Sequence, residues 1–167
     1  MPASVTHVLI AIVLIDLFRK FVLKKKNFPL YLILIGGIAG MLPDIDIPLA
    51  WILSRWGYSL HEIHRSYTHN LIIPTVFLIV ALLIWKFWPK IAHVFFVVSA
   101  GWTIHVVLDC IFSGTMPIFY PFSSQLYGLD LIPWNSLSGT FYYGLDAIIL
   151  ILWLVYEYYA QNMKDYI

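Results

Sequence analysis

Charged residues and cysteines are scarce in this sequence. Asp, Glu, Lys and Arg together account for 11% of the 167 residues, whereas soluble domains carry roughly 25%. The single cysteine, Cys110, excludes an intrachain disulfide and therefore a small secreted disulfide scaffold. A net charge of +1 is not the basic footprint of a nucleic-acid-binding protein. These shortages exclude an ordinary soluble domain, and we expect no nucleic-acid partner.

Apolar residues are abundant instead, at 61% of the chain with a mean hydropathy of +0.83. A membrane-spanning helix needs about 20 mostly apolar residues, and five apolar runs follow one another here. We therefore predict an all-α, polytopic membrane bundle of about five spans, forming a single domain over residues 1–167. The predicted partner is the lipid bilayer of a prokaryotic cytoplasmic membrane. The runs are about Val5–Leu23, Pro29–Trp56, Leu71–Trp88, Ile91–Phe112 and Tyr143–Ala160.

The second apolar run is interrupted at Pro43. The stretch Pro29–Met41 before it would form a helix of about 20 Å, shorter than a hydrocarbon core of about 30 Å. We expect the segment Pro43-Asp44-Ile45-Asp46 to lie inside the membrane or at its interface. Irregular backbone at that depth has to be buried in protein or line a wet cavity. Asp46 would also be a suitable cap for a short helix over Ile47–Trp56.

Basic residues orient the predicted bundle. With five spans the two ends of the chain face opposite sides, and eight of the ten Lys and Arg residues then fall on one side. Only Arg55 and Arg65 fall on the other side. The positive-inside rule places the N-terminus outside the cytoplasm and the C-terminus inside it. The longest predicted loop, Ser113–Phe141, lies outside.

Ionisable side chains collect at the predicted outer end, although the orientation rests on Lys and Arg alone. His105 and Asp109 are one helical turn apart and can ligate a metal, or they form a hydrogen-bonded pair between helices. Asp44 and Asp46 would repel each other without a cation. Helix capping and solvation are the alternative. Four His and three Asp at this end suit Zn²⁺, with Mn²⁺, Fe²⁺ or Ni²⁺ as alternatives, and can hold one to three ions.

The segment from His64 to His69 adds two imidazoles and a guanidinium within six residues. The planar fork of Arg65 suits phosphate oxygens. The alternative is a solvated loop that holds Arg65 at the level of the lipid headgroups. A metal site beside an Arg favours hydrolysis of a phosphoester.

Four motifs follow one another along the sequence. They are Thr6-His7, Gly40-x-x-Pro43-Asp44-x-Asp46, His64-Arg65-x-x-Thr68-His69 and His105-x-x-x-Asp109-x-x-x-x-Gly114 leading to Pro121-Phe122. Taken in order, they resemble the YdjM-type, LexA-regulated family of membrane-bound metal-dependent hydrolases, which is distantly similar to zinc-dependent phospholipase C and P1-type nucleases. Ser66 stands where this family commonly has Gly, and Asn70 stands where it commonly has Ser.

The resemblance implies a set of site residues. Arg65 would bind substrate, with Ser66 beside it as a second candidate. Independently of the resemblance, our candidate general base is whichever of Asp46 and Asp44 is not coordinated to metal, so that Asp44, Asp46 and Arg65 are the catalytic candidates. The implied metal ligands are His7, Asp44, Asp46, His64, His69, His105 and Asp109.

These observations predict a metallohydrolase whose active site faces the extracytoplasmic side. Its substrate would be a phosphoester in a lipid or another amphiphile, cleaved by metal-activated water. One alternative is a non-catalytic site that holds the bundle together or senses metal, with no open coordination position. Another is a metal transporter, which needs polar groups continuing toward the inner side. There the sequence offers only Asp16, His93 and Glu157, each near the end of a span.

Overall fold

The computed structural model describes residues 4–24, 28–57, 67–129, 131 and 136–159, with side chains omitted at 136–143 and 145. Over these residues the chain is helical, and the only β pairing is an isolated bridge between Met116 and Tyr127. The predicted all-α class is therefore confirmed.

The helical elements of the described residues are six α-helices and three short turns of other helix types. Helix α1 continues into a π-helical turn at Phe18–Val22, and 3₁₀ turns occupy Leu42–Ile45 and Ser54–Trp56. The α-helices are α1 Ser4–Leu17, α2 Tyr31–Ala39, α3 Asp46–Leu53, α4 Ile72–Ile84, α5 Pro89–Phe112 and α6 Ser136–Tyr159.

Local chemistry explains several of these boundaries. Pro89 begins α5, where its missing N–H group costs no hydrogen bond. The side-chain oxygen of Asn70 accepts hydrogen bonds from the backbone N–H groups of Ile72 and Ile73, at 3.0 and 3.2 Å, and so caps α4. Asp46 is the first residue of α3, so the N-cap position falls to Ile45 and not to Asp46 as predicted. Its carboxylate has other partners, described below.

Helix α5 lies at the centre and packs against α1, α2 and α4. A Cβ atom on Gly101 of α5 would overlap the carbonyl oxygen of Gly36 in α2 and lie 3.0 Å from the Cβ of Ala39. Only glycine permits so close an approach of two helices. The contact brings the carboxyl end of α2 alongside the middle of α5. One core cluster is formed by Ile15, Phe28, Leu32, Ile33 and Val97.

The apolar lengths of these helices define one or two candidate membrane spans. Among the described residues, α5 alone is long and apolar enough to cross a bilayer by itself. Helix α2 and the segment Leu42–Trp56 meet the same criterion together, but they are bent by 49° at the break between them. The predicted break at Pro43 is thus present, while the count of five spans stays a prediction. The helix of the fifth predicted span, α6, was expected to begin at Tyr143 but begins at Ser136. The predicted loop Ser113–Phe141 is therefore shorter.

Candidate metal centre

Histidines and aspartates from separate segments of the chain meet at one buried place. The side chains of His69 and His105 are fully buried, and those of His7 and Asp109 are 2% and 1% exposed. The meeting residues are His7 from α1, Asp44 from the 3₁₀ turn after α2, His69 from the stretch before α4, and His105 and Asp109 from α5.

Three of these side chains form a compact triangle of ligand atoms. The Nε2 atoms of His69 and His105 are 3.1 Å apart, and they lie 3.5 and 3.6 Å from Oδ1 of Asp44. A tetrahedral Zn²⁺ ion with bonds of roughly 2.0–2.1 Å would separate its ligand atoms by roughly 3.4 Å. The triangle therefore has the size that such an ion needs.

A second group of ligand atoms overlaps the first. The ring of His7 stacks on that of His105 with centroids 4.0 Å apart, and its Nε2 lies 3.4 Å from Oδ1 of Asp109. Oδ2 of Asp109 faces the other way, 3.5 Å from Nε2 of His69 and 3.8 Å from Nε2 of His105. The Asp109 carboxylate thus faces both groups. If a second ion bound, His7 and Asp109 would hold it, because only one nitrogen of His105 is available.

The other nitrogen of His105 is already engaged. Nδ1 of His105 donates a hydrogen bond to the carbonyl oxygen of Gly40, at 2.7 Å and fully buried. A proton on Nδ1 leaves the lone pair on Nε2, which points into the group of ligand atoms. This is the arrangement found around histidines that bind metals. It depends on the glycine contact between α2 and α5, which brings Gly40 within reach.

Asp46 holds His69 from the side opposite Asp44. Nδ1 of His69 lies 3.2 Å from Oδ2 of Asp46, and the Thr68 hydroxyl donates a 2.6 Å hydrogen bond to that same oxygen. A carboxylate on the far nitrogen fixes the ring and raises its basicity as a ligand. The geometry therefore separates the two aspartates of the Pro43 break: Asp44 lies among the ligand atoms, and Asp46 lies behind a histidine.

The carboxylates also set the charge of His69, which precedes α4. Burial alone would lower the pKa of His69, but its hydrogen bonds to Asp44 and Asp46, aided by the charge of Asp109, raise it to about 9. In the metal-free protein His69 consequently carries a proton at neutral pH. A divalent cation has to displace this proton to bind at Nε2.

The donor set fits a divalent ion such as Zn²⁺. It consists of imidazole nitrogens and carboxylate oxygens, which Zn²⁺ and neighbouring first-row metals accept. Nδ1 of His7 is buried and has no hydrogen-bond partner among the described residues. A buried polar atom without a partner is costly, but the other nitrogen of this ring is the one that faces Asp109, so the fit of an ion rests on the donor set.

Sequence reasoning missed three hydroxyl groups that hold the carboxylates. Ser4 donates to Asp44 at 2.9 Å, and Ser113 donates to Asp109 at 2.8 Å. The third is Thr68, which lies inside the quoted His-Arg-x-x-Thr-His motif without a role assigned to it. Of the other two, only Ser113 gave a signal in the sequence: it follows Asp109 by four residues, just past the end of α5.

The remaining predicted site residues lie outside the part of the chain that the structure describes. They are His64, Arg65 and Ser66. Their roles as metal ligand, catalytic residue and substrate-binding residues therefore stay predictions.

Comparison with known proteins gives one finding about the whole chain. A model of the YdjM inner membrane protein family matches residues 1–164. This match confirms the family that the motifs predicted. No curated protein and no solved structure matches the sequence.

Proposed function

Because this chain belongs to the YdjM inner membrane protein family, we propose that it is a multi-pass metallohydrolase of the cytoplasmic membrane. Its substrate would be a phosphoester in a lipid or another amphiphile. One observation carries the proposal: His and Asp side chains from four distant segments meet, nearly fully buried, with ligand atoms at the spacing a divalent ion needs.

The apolar surface supports a position within the bilayer. Large apolar side chains point outward along several helices, among them Leu83, Trp51 and Ile151, which are 71%, 69% and 58% exposed. Soluble monomers rarely expose apolar surface in such amounts. We propose five spans, with the N-terminus and the metal site on the extracytoplasmic side.

We propose that Asp44, His69 and His105 hold the first ion, with His7 and Asp109 available for a second. Zn²⁺ is the first choice, and the total is one to three ions if His64 contributes. A bound divalent cation would act as a Lewis acid toward a phosphoryl oxygen. It would also lower the pKa of a bound water molecule toward neutral pH.

The chain's own residues divide the remaining tasks. The Asp44 side chain is 12% exposed, whereas those of Asp46 and Asp109 are 2% and 1% exposed. We therefore propose Asp44 as the carboxylate that contacts the reacting water and the substrate. Asp46 orients His69. Arg65, with Ser66 beside it, is proposed to bind the phosphate of the substrate.

Elemental analysis of the detergent-purified protein tests the metal site. The comparison is between wild type, His105→Ala and Asp44→Ala, with His93→Ala as the control because His93 lies on the same helix outside the cluster. We expect at least about one equivalent of Zn²⁺ in wild type and the control, and loss from both site variants. A wild type that holds no stoichiometric metal after incubation with Zn²⁺ contradicts the proposal.

A turnover assay then tests hydrolysis separately. Metal-loaded protein is offered phospholipids and lipid-linked phosphates, and released headgroup or phosphate is measured. We expect Arg65→Ala to weaken turnover by raising KM while the metal content stays the same. If the metal-loaded wild type turns over none of the phosphoesters tested, the proposed hydrolysis is contradicted and only the proposed metal site is left.

The burial of the cluster favours a second candidate function, a non-catalytic metal site. His69 and His105 are fully buried, so coordination without an open position is the alternative arrangement. Substitution with Co²⁺ distinguishes the two candidates, since its visible spectrum reports coordination. A spectrum that shifts when phosphate is added indicates an open coordination position, which a hydrolase requires. An unchanged spectrum indicates a structural or sensing site.

A further inference from the structure

A second polar feature lies at the other end of α1 and α5. A cavity of about 760 Å³ is lined there by Arg19, Tyr31, Lys90 and His93, which we name the basic cavity. Arg19 follows His7 by twelve residues and His93 precedes His105 by twelve, which is about 18 Å along each helix. The basic cavity is therefore separate from the metal centre.

The charges around this cavity favour an anion. Nε of Arg19 donates to the carbonyl oxygen of Phe28 at 3.0 Å, and its Nη1 lies 3.6 Å from Asp16. Asp16 and Glu157 also pair with Lys20, so these two acids and two bases balance one another. Lys90 adds a positive charge beyond that balance.

Two helix N-termini meet at the same cavity. Tyr31 is the first residue of α2 and Pro89 is the first residue of α5, and both line the cavity wall. Because the N-terminal end of a helix carries a partial positive charge, both ends add to the attraction for an anion.

An apolar groove adjoins the basic cavity. It has a volume of about 280 Å³ and lies between α1 and α5, with Leu14, Phe18, Phe96, Ala100 and Ile104 along it. Phe28 lines both the groove and the basic cavity. A single ligand with a charged end and an apolar tail can therefore occupy both.

We propose that this pair of sites binds one anionic phospholipid, with its phosphate in the basic cavity and an acyl chain in the apolar groove. Basic pockets between helices are typical sites for anionic headgroups. A free phosphate would use the cavity and leave the groove empty, whereas the lipid uses both. Membership of an inner membrane protein family supplies the ligand, since the bilayer surrounds the protein. This inference does not rest on the hydrolase proposal.

Lipid binding to the purified, detergent-solubilised protein tests the proposal by native mass spectrometry. Phosphatidylglycerol and phosphatidylcholine with identical acyl chains are the two probes. We expect one phosphatidylglycerol to bind about fivefold or more tightly than phosphatidylcholine. Lys90→Glu should weaken phosphatidylglycerol binding by about fivefold or more. Lys86→Glu is the matched control, because Lys86 is exposed in the preceding turn and does not line the cavity.

The groove is tested by a substitution that leaves the charges intact. Leu14 lines the groove and is 46% exposed, so Leu14→Trp fills it without repacking the core. We expect weaker binding of the full lipid and unchanged binding of glycerol phosphate. Leu34→Trp on α2, at a position 60% exposed, is the control. This variant keeps the test decisive even where Lys90→Glu does not fold.

Three results would overturn the proposal. The first is equal affinity for the two lipids, and the second is an equal effect of Lys86→Glu and Lys90→Glu. The third is glycerol phosphate competing as well as the full lipid, which would indicate a phosphate site that makes no use of the groove.

Discussion

Asp44 and Asp46 stand two positions apart and have different surroundings. Asp44 faces the Nε2 atoms of two histidines, while Asp46 faces the far nitrogen of His69 and the Thr68 hydroxyl. Two aspartates separated by one residue are thus suited to different tasks. One would contact the ion, and the other would hold a ligand in place.

This difference predicts different effects of the same substitution. Asp46→Asn should reduce metal affinity by about 10- to 100-fold and leave the stoichiometry unchanged, as the loss of a group behind a ligand does elsewhere. Asp44→Asn should remove the ion at ordinary concentrations, because it removes a ligand atom's charge. Titration with Zn²⁺ measures both. Equal effects of the two substitutions would contradict the assignment.

The proton on His69 predicts a pH dependence of metal binding. The pKa of His69 is about 9 in the metal-free protein, so below that pH a proton competes with the ion for Nε2. Metal affinity should therefore rise as pH rises, by up to about tenfold per pH unit from this group. Calorimetry in two buffers of different ionisation enthalpy should detect the released proton at pH 7. In Asp46→Asn, which keeps the proposed ligands, fewer protons should be released at pH 7, because one of the groups that raise the pKa of His69 is gone.

Among the helices, the contact of α2 with α5 positions the site. Gly101 lets the two helices touch, and the touching end of α2 carries Gly40, whose carbonyl oxygen holds His105. The polar pairs Thr6–Asp146 and Lys20–Glu157 join α1 to α6 near both ends of α1. The packing of α2 on α5 therefore determines the orientation of the His105 ring.

Gly101→Ala tests that dependence. The added methyl group would collide with the backbone of α2, so we expect a loss of about 1–3 kcal/mol in stability and weaker metal binding. Gly144→Ala in α6 is the matched control, since a Cβ there meets nothing within 4 Å, and alanine favours a helix. Thermal unfolding with and without Zn²⁺ measures both variants. An unfolding temperature in Gly101→Ala equal to that of the control would contradict the packing argument.

For the molecule as a whole, the arrangement in the membrane is the property to test. The proposed topology places the turn between α4 and α5 in the cytoplasm and the loop after α5 outside. Cysteines introduced as Lys86→Cys and Ser124→Cys, both at exposed positions, report the two sides once Cys110 is replaced by Ser. A membrane-impermeant maleimide should label Ser124→Cys in intact cells. Lys86→Cys should be labelled only after permeabilisation, and the reverse pattern would invert the topology.

The sequence by itself determined the helical class, the break at Pro43 and the family. These follow from local properties: apolar runs, a proline that cannot continue a helix, and motifs of fixed spacing. It also pointed to His7, Asp44, His69, His105 and Asp109, because ionisable groups in apolar runs are costly and therefore informative.

Only the tertiary structure decided how those residues meet. Asp44 and Asp46 have the same side chain, and no local pattern shows that Asp44 lies among the ligand atoms while Asp46 lies behind His69. That choice depends on the crossing of α2 and α5 at Gly101 and on the path of the chain before α4. The adjoining basic cavity and apolar groove arise in the same way, since their walls come from helices that are distant in sequence. Side chains acquire such neighbours only when the helices that carry them pack together.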